Sequence, residues 1–398
     1  MRNYLISVIM NLSFRILSIL LATSGIICNA QDQDKLSVSP IGRIQVDGAL
    51  YFPAKNGFHD GLSLSEIRAG AKAGYGKWSA KVEVGYTYGK ISMKDTYIQR
   101  NIGDNDYFRL GYFLPQFGIR GGGSGSLKPS MVAQISESFF RTMTRKIGVA
   151  YTRYNPKYFF NAMAYVGGRS LTLNATQQGK VSVGGSLRGV WHPLASPGEI
   201  VAVGASASYE TASHTRLIND AGDEETSEGF RTYSASFPTV VSKVSMLEAN
   251  VTSAVGDWKI SPDITLSKDR FALETQFYYM NLPRHYDLAN YHAVGAYGMV
   301  RCLLTGDKQY RYSDSQGALA LPSPKTLEVV AGYDYVNADT RKAAIEGGIS
   351  NDWNLTLNYY INKYMIARLR YSYTDVRNSA VCERRGINII QARLQFVF

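Results

Sequence analysis

The feature that most restricts this chain is a repeat of period two. In 78–88, Trp78, Ala80, Val82, Val84, Tyr86 and Tyr88 fall on one face, while Ser79, Lys81, Glu83, Gly85 and Thr87 fall on the other. Successive side chains of a strand point to opposite sides, so this segment reads as a strand with one apolar and one charged face. The apolar face ends in aromatics, as a lipid-facing surface does where it meets the headgroups, and the charged face suits a wet interior. Leu355, Leu357, Tyr359 and Ile361 repeat the pattern against Thr356, Asn358, Tyr360 and Asn362. Met365, Ala367, Leu369, Tyr371 and Tyr373 repeat it against Ile366, Arg368, Arg370, Ser372 and Thr374, after a two-residue turn at Asn362-Lys363.

The competing membrane architecture is a helical bundle. It needs several apolar runs of 18 residues or more, and only 16–27 comes near that. Mean hydropathy is −0.16, which fits strands that are apolar on one side only. The short apolar run follows Arg2 and Arg15 and precedes Cys28-Asn29-Ala30 and the polar Gln31-Asp32-Gln33-Asp34, so residues 1–30 read as a cleaved secretion signal. Ile27 is too bulky to favour a lipid-anchored Cys28. That segment holds two Arg and no acid, so its removal lowers the formal net charge from +11 to +9. No run of five Lys or Arg occurs, which argues against nucleic-acid binding. Cys302 and Cys382, the cysteines left after cleavage, are too few for a disulfide framework.

Counting back from the C-terminus predicts sixteen strands, starting near residues 40, 62, 78, 91, 106, 146, 157, 180, 199, 245, 270, 290, 325, 345, 363 and 386. An even number puts both ends on the periplasmic side, and sixteen strands enclose an aqueous lumen. The fold class expected is therefore all-β: a transmembrane antiparallel β-barrel of about sixteen strands, porin-like, in the bacterial outer membrane. The count leaves two long external loops, near 115–144 and near 211–243, which are expected to be pore loops. Gly121-Gly122-Gly123-Ser124-Gly125-Ser126 in the first lacks the Gly-Lys-Ser/Thr ending of a phosphate cradle. The same count puts Cys302 near the periplasm and Cys382 in the last external loop, so two free thiols are expected. The last strand ends in Leu394, Phe396 and Phe398 on one face, a terminus that the barrel-assembly machinery reads.

No catalytic set emerges. The histidines His59, His192, His214, His285 and His292 lack metal-binding spacing, and no Gly-x-Ser-x-Gly elbow occurs. The chain therefore reads as a channel and not an enzyme, with no metal and no cofactor. A charge against lipid costs about 2–4 kcal/mol at the midplane, so strand charges should point inward. Alternation puts Arg43, Arg68, Lys72, Lys81, Arg109, Arg188, Arg368, Arg370 and Arg393 on lumen faces, with Asp47, Glu83, Glu274, Glu328 and Asp334 among them. The excess of bases predicts a modest preference for anions. A general or carbohydrate-passing porin, in which Tyr278 and Tyr360 stack against sugars, is the main alternative; a barrel that serves as an outer-membrane scaffold is another.

Leu304-Thr305-Gly306-Asp307-Lys308-Gln309-Tyr310, followed by Leu327-Glu328 to Tyr333 and by the Asn-rich Asp352-Trp353-Asn354 through Asn358-Tyr359-Tyr360-Ile361-Asn362, resembles the phosphate-selective porin family of O and P type. Leu110-Gly111-Tyr112-Phe113-Leu114-Pro115-Gln116-Phe117-Gly118 is similar to that family's strand leading into its third loop. The overall tone and the Gly-rich third loop look like divergent members from Bacteroidetes-type bacteria. The resemblance implies a homotrimeric, sixteen-stranded porin in outer-membrane lipid, passing small anions such as phosphate or polyphosphate. By position in the matching segments it offers Lys308, Arg311, Arg120, Lys128, Arg216, Arg231 and Lys243 as constriction candidates. Asp220, Asp223, Glu224, Glu225 and Glu228 stand among the last of these, and no dense arginine run accompanies them.

Overall fold

The computed structural model describes residues 35–398 except 54–56, 88, 123–127, 141–143, 168–177, 181, 213, 219–223 and 384; the leader and most of the glycine-rich run lie outside the described residues. One antiparallel sheet closes on itself. Its strands are β1 (Ser37–Phe52), β2 (Gly61–Tyr75), β3 (Trp78–Thr87), β4 (Lys90–Met93 and Thr96–Asn101), β5 (Asp106–Phe113), β6 (Lys146–Asn155), β7 (Tyr158–Val166) and β8 (Val183–Ser196). They continue as β9 (Glu199–Thr211), β10 (Gly256–Lys268), β11 (Phe271–Leu282), β12 (Tyr291–Thr305), β13 (Thr326–Thr340), β14 (Ile345–Tyr360), β15 (Met365–Ser379) and β16 (Arg385–Val397). Both pieces of β4 pair with β3, so seventeen segments make sixteen positions in the wall.

Closure runs through β1 and β16, in register from Arg43–Val397 to Phe52–Asn388. Gly42 and Phe398 then exchange backbone hydrogen bonds of 2.9 and 3.1 Å. A side chain at Gly42 would collide with the Phe398 ring, so the terminal aromatic needs the missing Cβ of its partner strand.

The outer face is the apolar one. Tyr333, Trp353 and Tyr373 are register partners on β13, β14 and β15, with ring centroids 5.3 and 5.9 Å apart. They form part of an aromatic belt whose polar tips stay satisfied: Tyr333 donates to Asn351 Oδ1 at 2.7 Å and Tyr371 to Asn388 Oδ1 at 2.7 Å. The connection between β14 and β15 runs over residues 361–364, longer than the two-residue turn expected. Asn362 Oδ1 shapes it by accepting from the backbone of Tyr364 and Met365, each at 2.8 Å.

Fifteen of the sixteen predicted starts fall at or near observed strands of the barrel wall. The start near 245 does not: Ser245–Val251 pairs with Arg231–Ser236 as a hairpin inside the barrel, and the wall resumes at Gly256. The hairpin sits there because the wall behind it is apolar. Met280, Leu282, Tyr291, Ala293, Val336, Ala338, Val376, Ile387 and Ile389 point inward from the external ends of β11–β13, β15 and β16, and pack against Tyr233, Ala235, Met246, Leu247, Ala249 and Val251. Water contact across that surface would be costly, so the fifth loop covers it as an inner layer.

Candidate functional site

The third loop, residues 114–145, enters the lumen, and its described residues are fastened to the wall at several points between 118 and 140. Gly118 N donates to Ser206 Oγ at 2.9 Å, and Arg120 grips both oxygens of Glu274 at 2.7 Å. Pro129 O accepts from Asn358 at 2.9 Å, and Met131 O from Arg393 at 2.8 Å. Its short helix α1 (Ile135–Phe139) starts with a capping box, with Gln134 N donating to Glu137 at 3.1 Å. Ser136 N donates to Asp334 on β13 at 3.2 Å. Phe140 stacks on Tyr278, centroids 5.1 Å apart and planes within 12°. The fifth loop adds its own ties: Pro238 O accepts from Arg370 at 3.2 Å and Gln391 at 2.8 Å, and Thr239 bonds Tyr51 at 2.6 Å.

These ties divide the inward-facing bases into two groups. Arg188, Arg368, Arg370 and Arg393 point inward, as alternation requires, but are sealed in. Arg188 forks onto Asp263 at 2.6 and 3.2 Å, Arg370 holds Asp352 at 2.8 Å, and Arg393 holds Asp47 at 2.7 Å. Arg368 donates to Lys128 O. Arg368, Arg370 and Arg393 fasten loops, and Arg188 braces neighbouring wall strands through Ser206 and Asp263. Tyr278 and Tyr360 are likewise buried, Tyr360 donating to Glu328 at 2.8 Å, which removes the stacking surface a sugar path would have used.

The second group lies on β1–β5 and at Arg145 just before β6, where the inserted loops leave a cavity against the wall. Arg68 bonds Glu66 at 2.7 Å and Glu83 at 3.2 Å, and Arg43 reaches Glu66 at 3.3 Å. Lys81 sits 3.4 Å from both Glu83 and Asp95, and Arg145 bonds Asp95 at 2.7 Å. Lys72 stands directly opposite Lys81, and Arg43 opposite Arg68. Like charges at facing positions cost roughly 0.2–1 kcal/mol each, and here they share one strip. Arg109 continues it, its guanidinium 4.1 Å from the Tyr97 ring centroid and bonded to Gln99 Oε1 at 2.8 Å.

Between this strip and the loops lies a cavity of about 420 Å³. Arg68, Glu66 and Gln45 line it from the wall; Ser138, Ser234, Ser236 and Lys243 line it from the loops. Of the constriction candidates, Lys243 and Lys128 reach it. Lys128 is ion-paired to Glu137, Arg120 to Glu274, and Arg231 to Glu210 at 3.1 Å. Arg216 belongs to an outer hairpin, His214–Ile218 with Glu224–Glu228, whose side chains lie outside the described residues. Lys308 and Arg311 are exposed on the connection 306–325, at the end of the barrel opposite the fifth-loop hairpin.

That connection folds up into the barrel mouth, and the Leu-Thr-Gly-Asp segment explains how. Gly306 takes φ +81° with a Cβ position 2.5 Å from Thr326 Oγ1, which only glycine tolerates. Asp307 Oδ2 accepts from Ser323 N at 2.6 Å and from Arg311 at 3.4 Å, closing the loop. Tyr310 then lies on Arg301, 5.0 Å from ring centroid to guanidinium, and donates to Glu328 at 2.9 Å. The motif builds the connection; its Lys308 stays outside. Sequence reading overlooked Lys94 and Arg145, which sit just beyond strand ends where alternation gives no signal.

A family model described as phosphate-selective porin O and P matches residues 67–398. The chain belongs to that family. This porin has the same fold as several solved outer-membrane proteins at low identity. OmpT of Vibrio cholerae, folded in vitro, is 11% identical with a TM-score of 0.58, covering 94% of this chain and 100% of that one. The anion-selective porin from Comamonas acidovorans is 11% identical with a TM-score of 0.58, covering 92% and 100%. The outer membrane channel DcaP of Acinetobacter baumannii is 12% identical with a TM-score of 0.53, covering 94% and 100%. No curated relative matches the sequence. The porin is thus an outer-membrane β-barrel protein of that family.

Proposed function

We propose that this porin lets small anions, phosphate-sized oxyanions among them, diffuse passively across the outer membrane. The observation that carries the reading is the uneven lining of the lumen. Where loops cover the wall, each arginine is spent on a carboxylate or a carbonyl. Where the wall stays more open, Arg68, Lys72, Lys81, Lys94, Arg109 and Arg145 outnumber Glu66, Glu83 and Asp95, with Arg43 buried behind Glu66. A narrow, low-dielectric passage with one excess sign concentrates counter-ions. Several weak sites in series let an anion bind and still leave. Three copies assemble in the membrane on this reading, as in the trimer form of the Vibrio cholerae protein.

The test is single-channel recording of the purified, refolded protein in planar bilayers under a KCl gradient, followed by phosphate titration. The reversal potential should indicate preference for chloride, and added phosphate should reduce the current. Large conductance without ion preference would replace this reading with a general solute porin. Native mass spectrometry in detergent reads the subunit count.

A further inference from the structure

His192 is a polar side chain closed off from water without a partner. It stands on β8 where the register against β9 slips between Trp191 and Leu194. The residue is fully buried, and among the described residues neither ring nitrogen finds a hydrogen bond. The ring packs against Tyr312 of the 306–325 connection, with centroids 4.6 Å apart. A buried polar group left unsatisfied costs stability, so its presence asks for a reason.

The polar groups that face the ring are acceptors. Asp314 Oδ1 lies 3.9 Å from Nδ1, too far for a hydrogen bond but within reach of an ion pair once the ring is charged. The carbonyls of Pro156 and Tyr158 face the ring from the β6–β7 turn and the start of β7. Lys157 in that turn meets His192 through its backbone, accepting from His192 N at 2.8 Å, and its side chain is exposed. Tyr154 of β6, Phe159 of β7 and Ala202 of β9 complete the cluster around Tyr312. The other charges on these elements are already matched, Arg188 by Asp263 and Arg311 by Asp307. A neutral imidazole has one donor nitrogen and an imidazolium has two, so protonation supplies donors that this setting lacks.

Asp314 sits on a small hairpin inside the mouth. Tyr312 pairs with Leu319 and Ser313 with Ala318, and Gly317 N closes the turn on Ser313 O at 2.9 Å. Gly317, at φ +58°, presses on the Phe159 ring. The Asp314 carboxylate is partly exposed, and among the described residues no lysine or arginine pairs with it. It therefore leaves a negative charge at the barrel end opposite the fifth-loop hairpin, where it repels an approaching anion.

We propose that His192 and Asp314 form an acid-sensitive contact at this mouth: protonated His192 draws the 313–317 turn onto β8 and cancels the Asp314 charge, which eases the passage of anions on acidification. The contact stands without the anion reading above, and its effect on passage rests on that reading.

The experiment uses full-length wild type, His192→Phe and Asp314→Asn. Protein labelled with 13C-histidine is titrated by NMR in detergent micelles, and the signal absent from His192→Phe identifies His192. Asp314→Asn should lower the proton affinity of His192 about threefold, the worth of a partly exposed ion pair, and leave the other histidines unmoved. In planar bilayers, the chloride-over-potassium preference of the wild type should rise from pH 8 to pH 5, the range in which imidazoles titrate. His192→Phe keeps a ring against Tyr312 and should lose most of that rise. Asp314→Asn should begin at pH 8 with a higher preference than the wild type and change less. Asp314 lies on an exposed turn, so its variant keeps both measurements open should His192→Phe fail to fold. A His192 titration that ignores Asp314→Asn overturns the contact. A wild-type rise that persists in both variants overturns its effect on passage. A wild type with no anion preference at any pH overturns the functional reading, and the NMR comparison still decides the contact.

Discussion

Arg368 on β15 and Arg393 on β16 stand directly opposite each other, and each donates to a backbone carbonyl of the third loop, Arg368 to Lys128 and Arg393 to Met131. Two guanidinium groups side by side in a buried wall repel each other unless acceptors intervene. Asp47 supplies one acceptor, at 2.7 Å from Arg393, and the loop supplies the others. The arginines thus hold the third loop, and the loop makes their burial tolerable.

Removing one member exposes this dependence. Arg393→Met keeps much of the side-chain volume but leaves Asp47, which is fully buried, with Ser65 as its remaining side-chain hydrogen-bond partner. Stranding a buried charge costs about 3–5 kcal/mol. Denaturant unfolding in detergent should show a loss of that order, and single-channel traces should gain flicker as residues 128–131 loosen. An unchanged midpoint with quiet traces would mean that the loop is held by its other contacts alone.

The fifth-loop hairpin should behave as a fixed inner layer, not a gate. Leu247 packs against the wall at Gly348, its Cδ2 2.8 Å from the position a Cβ would occupy there. Leu247→Asp would press a carboxylate onto an apolar surface, which is expensive enough to lift the hairpin away. Conductance should rise and thermal stability should fall together. A stability loss with no change in conductance would place the hairpin outside the conducting path.

The hairpin also marks where the sequence stopped being readable. Strand type, order and lumen faces followed from alternation, because lipid on one side and water on the other impose period two on β3, β14 and β15. The tenth start was misplaced because Ser245–Val251 also looks like a strand, and it is one, paired to Arg231–Ser236 instead of the wall. A signal was present in the neighbours: Ile387 and Ile389 alternate with Asn388 and Ile390, so the end of β16 is apolar inside and partly apolar outside. Apolar residues on both faces of an external strand end mean that something dry covers the inner one. Which arginines stay wet was not legible, because Arg68 and Arg368 both sit on lumen faces and only the path of residues 114–145 separates their fates.

Barrel closure offers a test of the terminal residue. Phe398 covers Gly42 on the outside of the β1–β16 seam and exchanges two backbone hydrogen bonds with it. Gly42→Leu would force the ring aside without altering the terminal residue, which we propose the assembly machinery reads. Phe398→Ala removes both the ring contact and that proposed signal. Gly42→Leu should therefore refold in detergent with a lowered unfolding temperature but still reach the outer membrane in cells, whereas Phe398→Ala should fail at delivery. Equal cellular yields of the two variants would show that seam packing, not recognition, is what the terminal phenylalanine provides.

Lys243 gives the channel a pH dependence with a definite sign. It lies on the fifth loop beside the cavity, in contact with water there yet enclosed by the barrel, and burial lowers its pKa below the ordinary 10.5. A lowered amine pKa means that the positive charge, present at neutral pH, is lost earlier as pH rises than in an open lysine. Anion preference should therefore begin to decline below pH 10.5 in the wild type. Lys243→Met should start from a lower preference at neutral pH and show a shallower decline over the same range, since one titrating group has been removed. Reversal potentials recorded in a KCl gradient from pH 7 upward decide this. Parallel curves for wild type and variant would remove Lys243 from the conducting path, and the cavity's basic character would then come from the β1–β5 strip alone.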